Sequence, residues 1–579
     1  MPSPRLVPPI PDLLSADPEL RVDAAGMKQT LIFAFAMSSS VEAFDQAIAG
    51  ATLPRSRWDR AHFARDLFLD QLIERCLTVR IGGRAHAVCA PYLLRAIAEP
   101  PRDPSVVTFR RAVLEELVSS KDRRAELERS YSKIVELRTL LCAGRRTGER
   151  LRRLEILRAV HEVVGGLADS FEGATSGLAR LRAFGRAVRE GVGDRRLDAL
   201  LEHEQHLGTV DLSVRVGSDG EIRAFEIMAI RENHDNPFHA SAIGRWIARF
   251  RMFLRGYRVD GGEIAERIFD DVFTGLEDSL AMIFQLLGDM EFHLAALGFR
   301  DLAEASGLAV CFPDLVDAEA APGEGMQLSQ LFNPLLLGDK RAPVPCDIDV
   351  ARASSVVIVT GPNSGGKTRL LQSIAFAQLL GEAGMFVPAR AARLPRVSGL
   401  FVSIVDESRA DQPEGQLGME LLRIRRMFEE LGPGSLVLLD ELCSGTNPSE
   451  GEEIARLVIS LLPELGAQVF VTTHLLHFAA RLADEGSLAR TAFLQVELDE
   501  NERATYGFVP GVARTSLAHK TAARLGVTRD ELTALIAAKK RELAKALGPV
   551  PAATSLARSP AAGPTMLAAQ PAVVDAALG

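Results

Sequence analysis

Val356-Val357-Ile358-Val359-Thr360-Gly361-Pro362-Asn363-Ser364-Gly365-Gly366-Lys367-Thr368 decides the fold of the C-terminal half of this 579-residue chain. A short apolar run, a glycine-rich loop and a helix start follow one another, and every required position of the G-x-x-x-x-G-K-[ST] pattern is filled. Glycines let the backbone wrap closely around phosphate with its N–H groups turned inward, and the following helix adds the positive end of its dipole. On this reading Gly361, Pro362, Asn363, Ser364, Gly365, Gly366, Lys367 and Thr368 hold ATP. Lys367 reaches the β- and γ-phosphates, and Thr368 places its hydroxyl on Mg²⁺.

Two later runs complete a site of this kind. Leu436-Val437-Leu438-Leu439 reads as a buried strand running into Asp440-Glu441. Asp440 joins Thr368 as a metal ligand, and Glu441 orients and activates the attacking water. An acidic pair at a strand end also serves as a helix cap; the glycine loop upstream favours the catalytic reading. Val469-Phe470-Val471-Thr472-Thr473-His474 is a third strand ending in a histidine, which in this position senses the γ-phosphate. Glu441, His474 and Lys367 are therefore the catalytic set, Thr368 and Asp440 the metal set, and ATP with Mg²⁺ the ligands. Strands alternating with helices predict an α/β domain with a largely parallel sheet.

These residues carry a family resemblance. Gly361 to Thr368, then Gly384-Met385-Phe386-Val387-Pro388-Ala389, then Leu438 to Glu441 with Ser444-Gly445-Thr446-Asn447 and Gly451, then Thr473-His474, resemble the MutS family in order and spacing. Tyr506-Gly507-Phe508-Val509-Pro510-Gly511, with Ser516, Ala522 and Gly526, is similar to the stretch that follows the family's ATPase core. Upstream, Pro101-Arg102-Asp103-Pro104 with Arg110, Arg111, Glu115 and Leu117 resembles the start of its helical core. Asn333-Pro334-Leu335 and Pro345-Cys346-Asp347 resemble the approach to its ATPase. The resemblance implies a helical core and lever region followed by an ABC-type P-loop ATPase that forms a homodimer, each site completed by the partner subunit.

The chain departs from the family in several places. No segment carries the Phe-x-Glu wedge of the mismatch-reading domain, and the region before Pro100 is short for that domain and its connector. The signature loop with its serine is replaced by Gly415-Gln416-Leu417, with Glu420 retained, so Gln416 is the donor offered in the serine's place. Pro343 or a neighbour stands where some members stack an aromatic on adenine. Asp406-Glu407 is closer to the family's second bacterial branch, which lacks mismatch reading. That branch often ends in a small nuclease domain, which the Ala/Pro-rich tail does not resemble.

The helical part is read from periodicity. Leu127, Tyr131, Ile134, Leu137 and Leu141 form one apolar face, and Ile264, Ile268, Val272, Leu276, Leu280, Ile283, Leu287 and Met290 another, with Asp270, Asp271, Glu277 and Asp278 solvating its far side. Between them Leu212 to Val216 and Ile222 to Ile230 flank a Gly217-Ser218-Asp219-Gly220 turn, a hairpin. The expected divisions are a mainly helical region 1–95, a helical core and lever 96–335, an ATPase domain 336–545 and a disordered tail 546–579.

A net charge of −9 excludes a uniformly basic nucleic-acid binder but not a local basic patch. Between Lys121 and Arg158, Arg123, Arg124, Arg129, Lys133, Arg138, Arg145, Arg146, Arg150, Arg152, Arg153 and Arg158 supply such a patch for DNA bound by shape. Interleaved Asp122, Glu126, Glu128 and Glu136 fit a solvated helix face equally well. Six scattered cysteines without a Cys-x-x-Cys pair, no leader pattern and no long uninterrupted apolar run point to a cytoplasmic protein without a membrane span. The function expected is an ATP-dependent switch on distorted, mismatched or branched DNA in repair or recombination. The alternative is an ATP-switched protein-interaction module acting on another assembly.

Overall fold

The computed structural model describes residues 8–144, 149–206, 209–216, 222–231, 269–317, 325–339, 342–350, 355–404, 416–443, 447–486, 490–515, 522–523 and 525–546. The protein is mixed α/β. Met1–Ser516 form one compact unit and Leu517–Gly579 a second.

The helical part begins with α1 (Ala24–Met37), α2 (Val41–Ala49), α3 (Leu69–Arg75), a small hairpin of β1 (Val79–Ile81) and β2 (Arg84–His86), and α4 (Ala90–Ala98). Then come α5 (Pro104–Ser119), α6 (Lys121–Cys142), α7 (Glu149–Asp169), α8 (Leu178–Arg189) and α9 (Val192–His206). The starts follow local chemistry. Asp103 accepts from Ser105 N ahead of Pro104 at the start of α5, and Ser120 accepts from Arg123 N at the start of α6. Next, β3 (Thr209–Val216) pairs antiparallel with β4 (Ile222–Arg231). This is the hairpin the alternation predicts; its turn lies outside the described residues.

One apolar run differs from its reading as an unbroken helix. Residues 269–274 are helical, Gly275 and Leu276 turn, and the chain restarts as α10 (Glu277–Ala305). The break lets the start of α9 come close, since a Cβ on Gly193 would lie 2.8 Å from Gly275 O. The acidic residues along this run are paired rather than simply solvated: Asp270 with Arg153, Asp271 with Arg196, and Asp278 with Lys28.

Helix α10 is apolar on nearly every side and is long and apolar enough to cross a membrane, yet that stretch is wholly buried inside the protein. It is the axis of the core shared by α1 to α8. Most of its buried polar groups are matched, His293 Nδ1 being an exception. Glu291, buried, accepts from Cys89 N at 2.7 Å and from Tyr131 Oη at 3.3 Å, and burial pushes its carboxyl up to about 7. The folded protein then keeps a proton that the unfolded chain releases, so stability falls as pH rises from about 4.5 to about 7. Glu291→Gln keeps the acceptor and removes that slope. Urea unfolding should find the variant equal to the parent at pH 4 and more stable by about 3 kcal/mol at pH 8. A difference that does not change with pH would refute the assignment.

The second half carries two sheets. β5 (Asp314–Val316), β6 (Met326–Leu331), β7 (Cys346–Val350) and β9 (Ala391–Pro395) make a four-stranded sheet in the order β5-β9-β6-β7. β8 (Val356–Thr360), β10 (Leu400–Ser403), β11 (Leu436–Leu439), β12 (Gln468–Thr473), β13 (Thr491–Leu498) and β14 (Ala504–Pro510) make the main sheet, ordered β10-β11-β12-β8-β13-β14. Its first five members are parallel and β14 is antiparallel. The residues of β8, β11 and β12 are buried throughout, as strands covered on both faces must be. The helices between are α11 (Lys367–Ala383), α12 (Gln416–Glu430), α13 (Pro448–Leu461) and α14 (Leu476–Glu485). In the second unit α15 (Arg529–Ala546) starts from a reciprocal Thr528–Glu531 cap.

One side chain ties α5 to the end of α11. Arg110 of α5, fully buried, donates from Nε to Leu14 O at 3.0 Å and from Nη1 to Ala383 O at the end of α11 at 2.9 Å.

Candidate nucleotide site

The glycine loop leaves β8 at its carboxyl end and enters α11 at Lys367. Its path needs glycine. Gly361 has φ +146°, and a Cβ there would lie 2.5 Å from Val496 Cγ2; Gly366 has φ +94° at the helix start. Ser364 takes φ +66° between them. The Lys367 side chain folds back over the loop, its Nζ donating to Gly361 O at 3.1 Å and Pro362 O at 3.3 Å. Burial lowers the amine's pKa, and Glu441 and Asp440 oppose that shift.

Asp440 follows β11. Because β11 and β12 run parallel with Leu439 opposite Val471, Asp440 and Thr472 emerge side by side. Thr368 Oγ1 donates to Asp440 Oδ2 at 2.6 Å, Thr472 Oγ1 donates to Asp440 Oδ1, and Glu441 N donates to Thr472 Oγ1 at 2.9 Å. Glu441 stands in the left-handed region at φ +51°, as does Cys443 at φ +58°. Cys443 N is held by Glu420 Oε1 of α12 at 2.5 Å. This sharp turn carries the Glu441 carboxylate to 3.9 Å from Lys367 Nζ and 3.9 Å from His474 Nδ1. Lys367, Thr368, Asp440, Glu441 and His474, drawn from three separate stretches, thus meet at the carboxyl ends of adjacent strands, where ligands bind in open α/β sheets.

The cleft over the loop holds about 680 Å³, and Asn363 to Leu370, Asp440 and Glu441 line its floor. Pro343, Val344, Tyr506 and Phe508 make an apolar wall, with Tyr506 Cδ1 3.3 Å from where a Cβ on Gly366 would stand. The Thr368–Asp440 pair is a hard oxygen donor set with room above it, which fits Mg²⁺. Thr472 was not singled out as functional in the sequence. The clue is a hydroxyl one step past the residue facing Leu439, which only the strand pairing makes visible. Asp406-Glu407, Gly415 and Ser444-Gly445-Thr446 lie outside the described residues. Gln416 is placed as the first residue of α12.

A family profile described as MutS domain V matches residues 357–541, from β8 to within α15. Over 512 residues the chain is 27% identical to an Endonuclease MutS2 of Thermus thermophilus, covering 84% of this chain and 61% of that protein. Residues 357–541 thus belong to the MutS family's domain V. Shorter matches are to proteins of the same name from Thermomicrobium roseum (33% identity, 42% of this chain and 29% of that one) and Pelotomaculum thermopropionicum (30%, 46% and 32%). The chain therefore spans less than two thirds of the length of these MutS2 relatives. Their shared name agrees with the second bacterial branch to which the residues pointed.

Proposed function

We propose that this chain is a MutS-family, ABC-type P-loop ATPase whose nucleotide state switches a dimer on distorted, mismatched or branched DNA, in repair or recombination. The observation that carries the reading is the meeting of Lys367, Thr368, Asp440 and Glu441 in one cleft, with His474 beside Glu441. On binding ATP, Lys367 exchanges its two loop carbonyls for β- and γ-phosphate oxygens, and the loop N–H groups cradle the rest. Thr368 and Asp440 hold Mg²⁺, which neutralises phosphate charge. Glu441 accepts a proton from the attacking water as the bond from the γ-phosphorus to the bridging oxygen breaks, and His474 contacts the γ-phosphate. Pro343, Val344, Tyr506 and Phe508 receive the adenine side. Arg110, fixed between Leu14 and the end of α11, gives movements of the glycine-loop helix a rigid path into the lever.

Steady-state ATP hydrolysis, alone and with linear, mismatched and branched DNA at 50 and 200 mM salt, tests this. Stimulation by branched or distorted DNA that fades with salt is the expected result. Hydrolysis indifferent to every DNA would overturn the DNA half and favour a protein partner. One observation favours that second reading: much of the basic set on α6 and α7 is spent internally. Arg124 pairs with Glu128 and Asp301, and Arg138 with Asp45. Arg152 donates to the carbonyls of Ala34, Phe35 and Leu141, and Arg153 pairs with Asp270.

A further inference from the structure

His161, Asp194 and Asp198 face one another where α7 passes the start of α9, apart from the lining of the nucleotide cleft. Asp194 and Asp198 share one face of α9 at i, i+4 spacing, and His161 projects from α7. His161 Nδ1 lies 2.9 Å from Asp198 Oδ1, and one ligand atom from each of the three residues falls within 4.8 Å of the others. Asp194 is only 1% exposed, yet neither of its carboxylate oxygens has a hydrogen-bond partner among the described residues. His161 Nδ1 is also buried, and its approach to Asp198 is not aligned as a hydrogen bond. Arg189, a nearby cation, is engaged by both carboxylate oxygens of Asp169 at 2.9 and 2.8 Å. A buried carboxylate left without a partner is costly and persists where something answers its charge.

We propose that His161, Asp194 and Asp198 form a site for a first-row divalent cation of the Zn²⁺ class, bound through imidazole Nδ1 and two carboxylates. The donor set decides the class: Mg²⁺ and Ca²⁺ take oxygen ligands, whereas an imidazole with carboxylates suits Zn²⁺ and its neighbours. A tetrahedral ion with bonds of about 2.0–2.1 Å holds its ligands roughly 3.4 Å apart. That separation lies between the 2.9 Å contact and the 4.8 Å limit found here. Three protein ligands leave a position for water. The ion pins α7 to α9, the helix that leads into the β3–β4 hairpin, and so stiffens the base from which the hairpin extends.

The test uses the full chain without nucleotide and Zn²⁺ alone in equilibrium dialysis. An Asp440→Asn background removes the other metal position. One tightly held Zn²⁺ per chain is expected in both parent and Asp440→Asn, with affinity at least about 100-fold lower in Asp194→Asn and in His161→Gln. Zn²⁺ should raise the Tm of the parent and leave that of Asp194→Asn unmoved. Without Zn²⁺, Asp194→Asn should melt no lower than the parent, because it removes an unanswered buried charge. The His161 side chain is partly exposed, so His161→Gln tests the site without disturbing the core. A parent that holds no Zn²⁺ at micromolar concentration, or binding that both variants retain, would overturn the proposal.

Discussion

Glu441→Gln is expected to lower kcat for ATP hydrolysis by about 10²–10⁴ while ATP stays bound. The substitution keeps the size of the side chain and the backbone turn, since Glu441 N is held by Thr472 Oγ1 at 2.9 Å whatever the side chain is. It removes the group able to take the proton of the attacking water. It also removes the carboxylate 3.9 Å from Lys367 Nζ, one of the charges that keep the buried amine protonated. The Lys367 amine should therefore lose its proton at lower pH in the variant than in the parent. Asp440, joined to the Thr368 hydroxyl at 2.6 Å, is untouched, so the oxygen pair proposed to hold Mg²⁺ survives. Filter binding of ATP with single-turnover hydrolysis separates the two effects. Turnover equal to the parent's would remove Glu441 from the catalytic role; lost binding with unchanged turnover per bound ATP would make it a binding residue.

Arg21→Ala should produce the largest loss of stability, about 3–5 kcal/mol by urea unfolding. Arg21 sits between two fully buried carboxylates, its Nη1 2.6 Å from both Asp12 oxygens and its Nη2 2.6 Å from Asp289 Oδ1. Asp289 also accepts from Tyr92 Oη at 2.7 Å and from Leu13 N at 3.1 Å, while Asp12 accepts from Leu14 N at 2.7 Å. Arg21 N itself donates to Gln285 Oε1 at 2.5 Å. The N-terminal segment is thus joined to α10 by the Arg21 guanidinium together with the bonds from Leu13 N to Asp289 and from Arg21 N to Gln285. Without that guanidinium two carboxylates remain in the core and lose the cation that bridges them. Asp289 is already pushed up by burial, an effect that Arg21 opposes, so the variant should take up protons and regain part of its stability as pH falls. Arg21→Lys should not restore the parent, because a single ammonium lacks the planar fork that serves both partners. A loss below about 1 kcal/mol, or one independent of pH, would mean that the network is not carrying the segment.

The local parts of the nucleotide site were open to reading from the residues alone. Gly361 to Thr368 take the path of a phosphate-cradling loop because of their own backbone freedom and spacing, and the strand before and the helix after follow from a short apolar run and a loop of glycines. Asp440-Glu441 at the end of Leu436 to Leu439 follows from the same logic. The hairpin of β3 and β4 was legible in its alternation. Each of these depends on residues within a few positions of one another.

What needed the tertiary structure depends on residues far apart in sequence. Thr472 joins the site only because β12 runs beside β11 in a register that sets it next to Asp440. In the sequence the arginines of α6 and α7 fit a DNA-facing patch and a solvated helix face equally well; the fold sets Asp45, Asp270 and Asp301 from distant segments against Arg138, Arg153 and Arg124. The apolar run through Leu276 shows no reason to break until Gly193 is seen packed on Gly275. The sequence by itself determined the glycine loop and its acidic strand, because their form is encoded in neighbouring residues. The packing of helices decided which charges remain available, because a charge is spent by whatever the fold places against it.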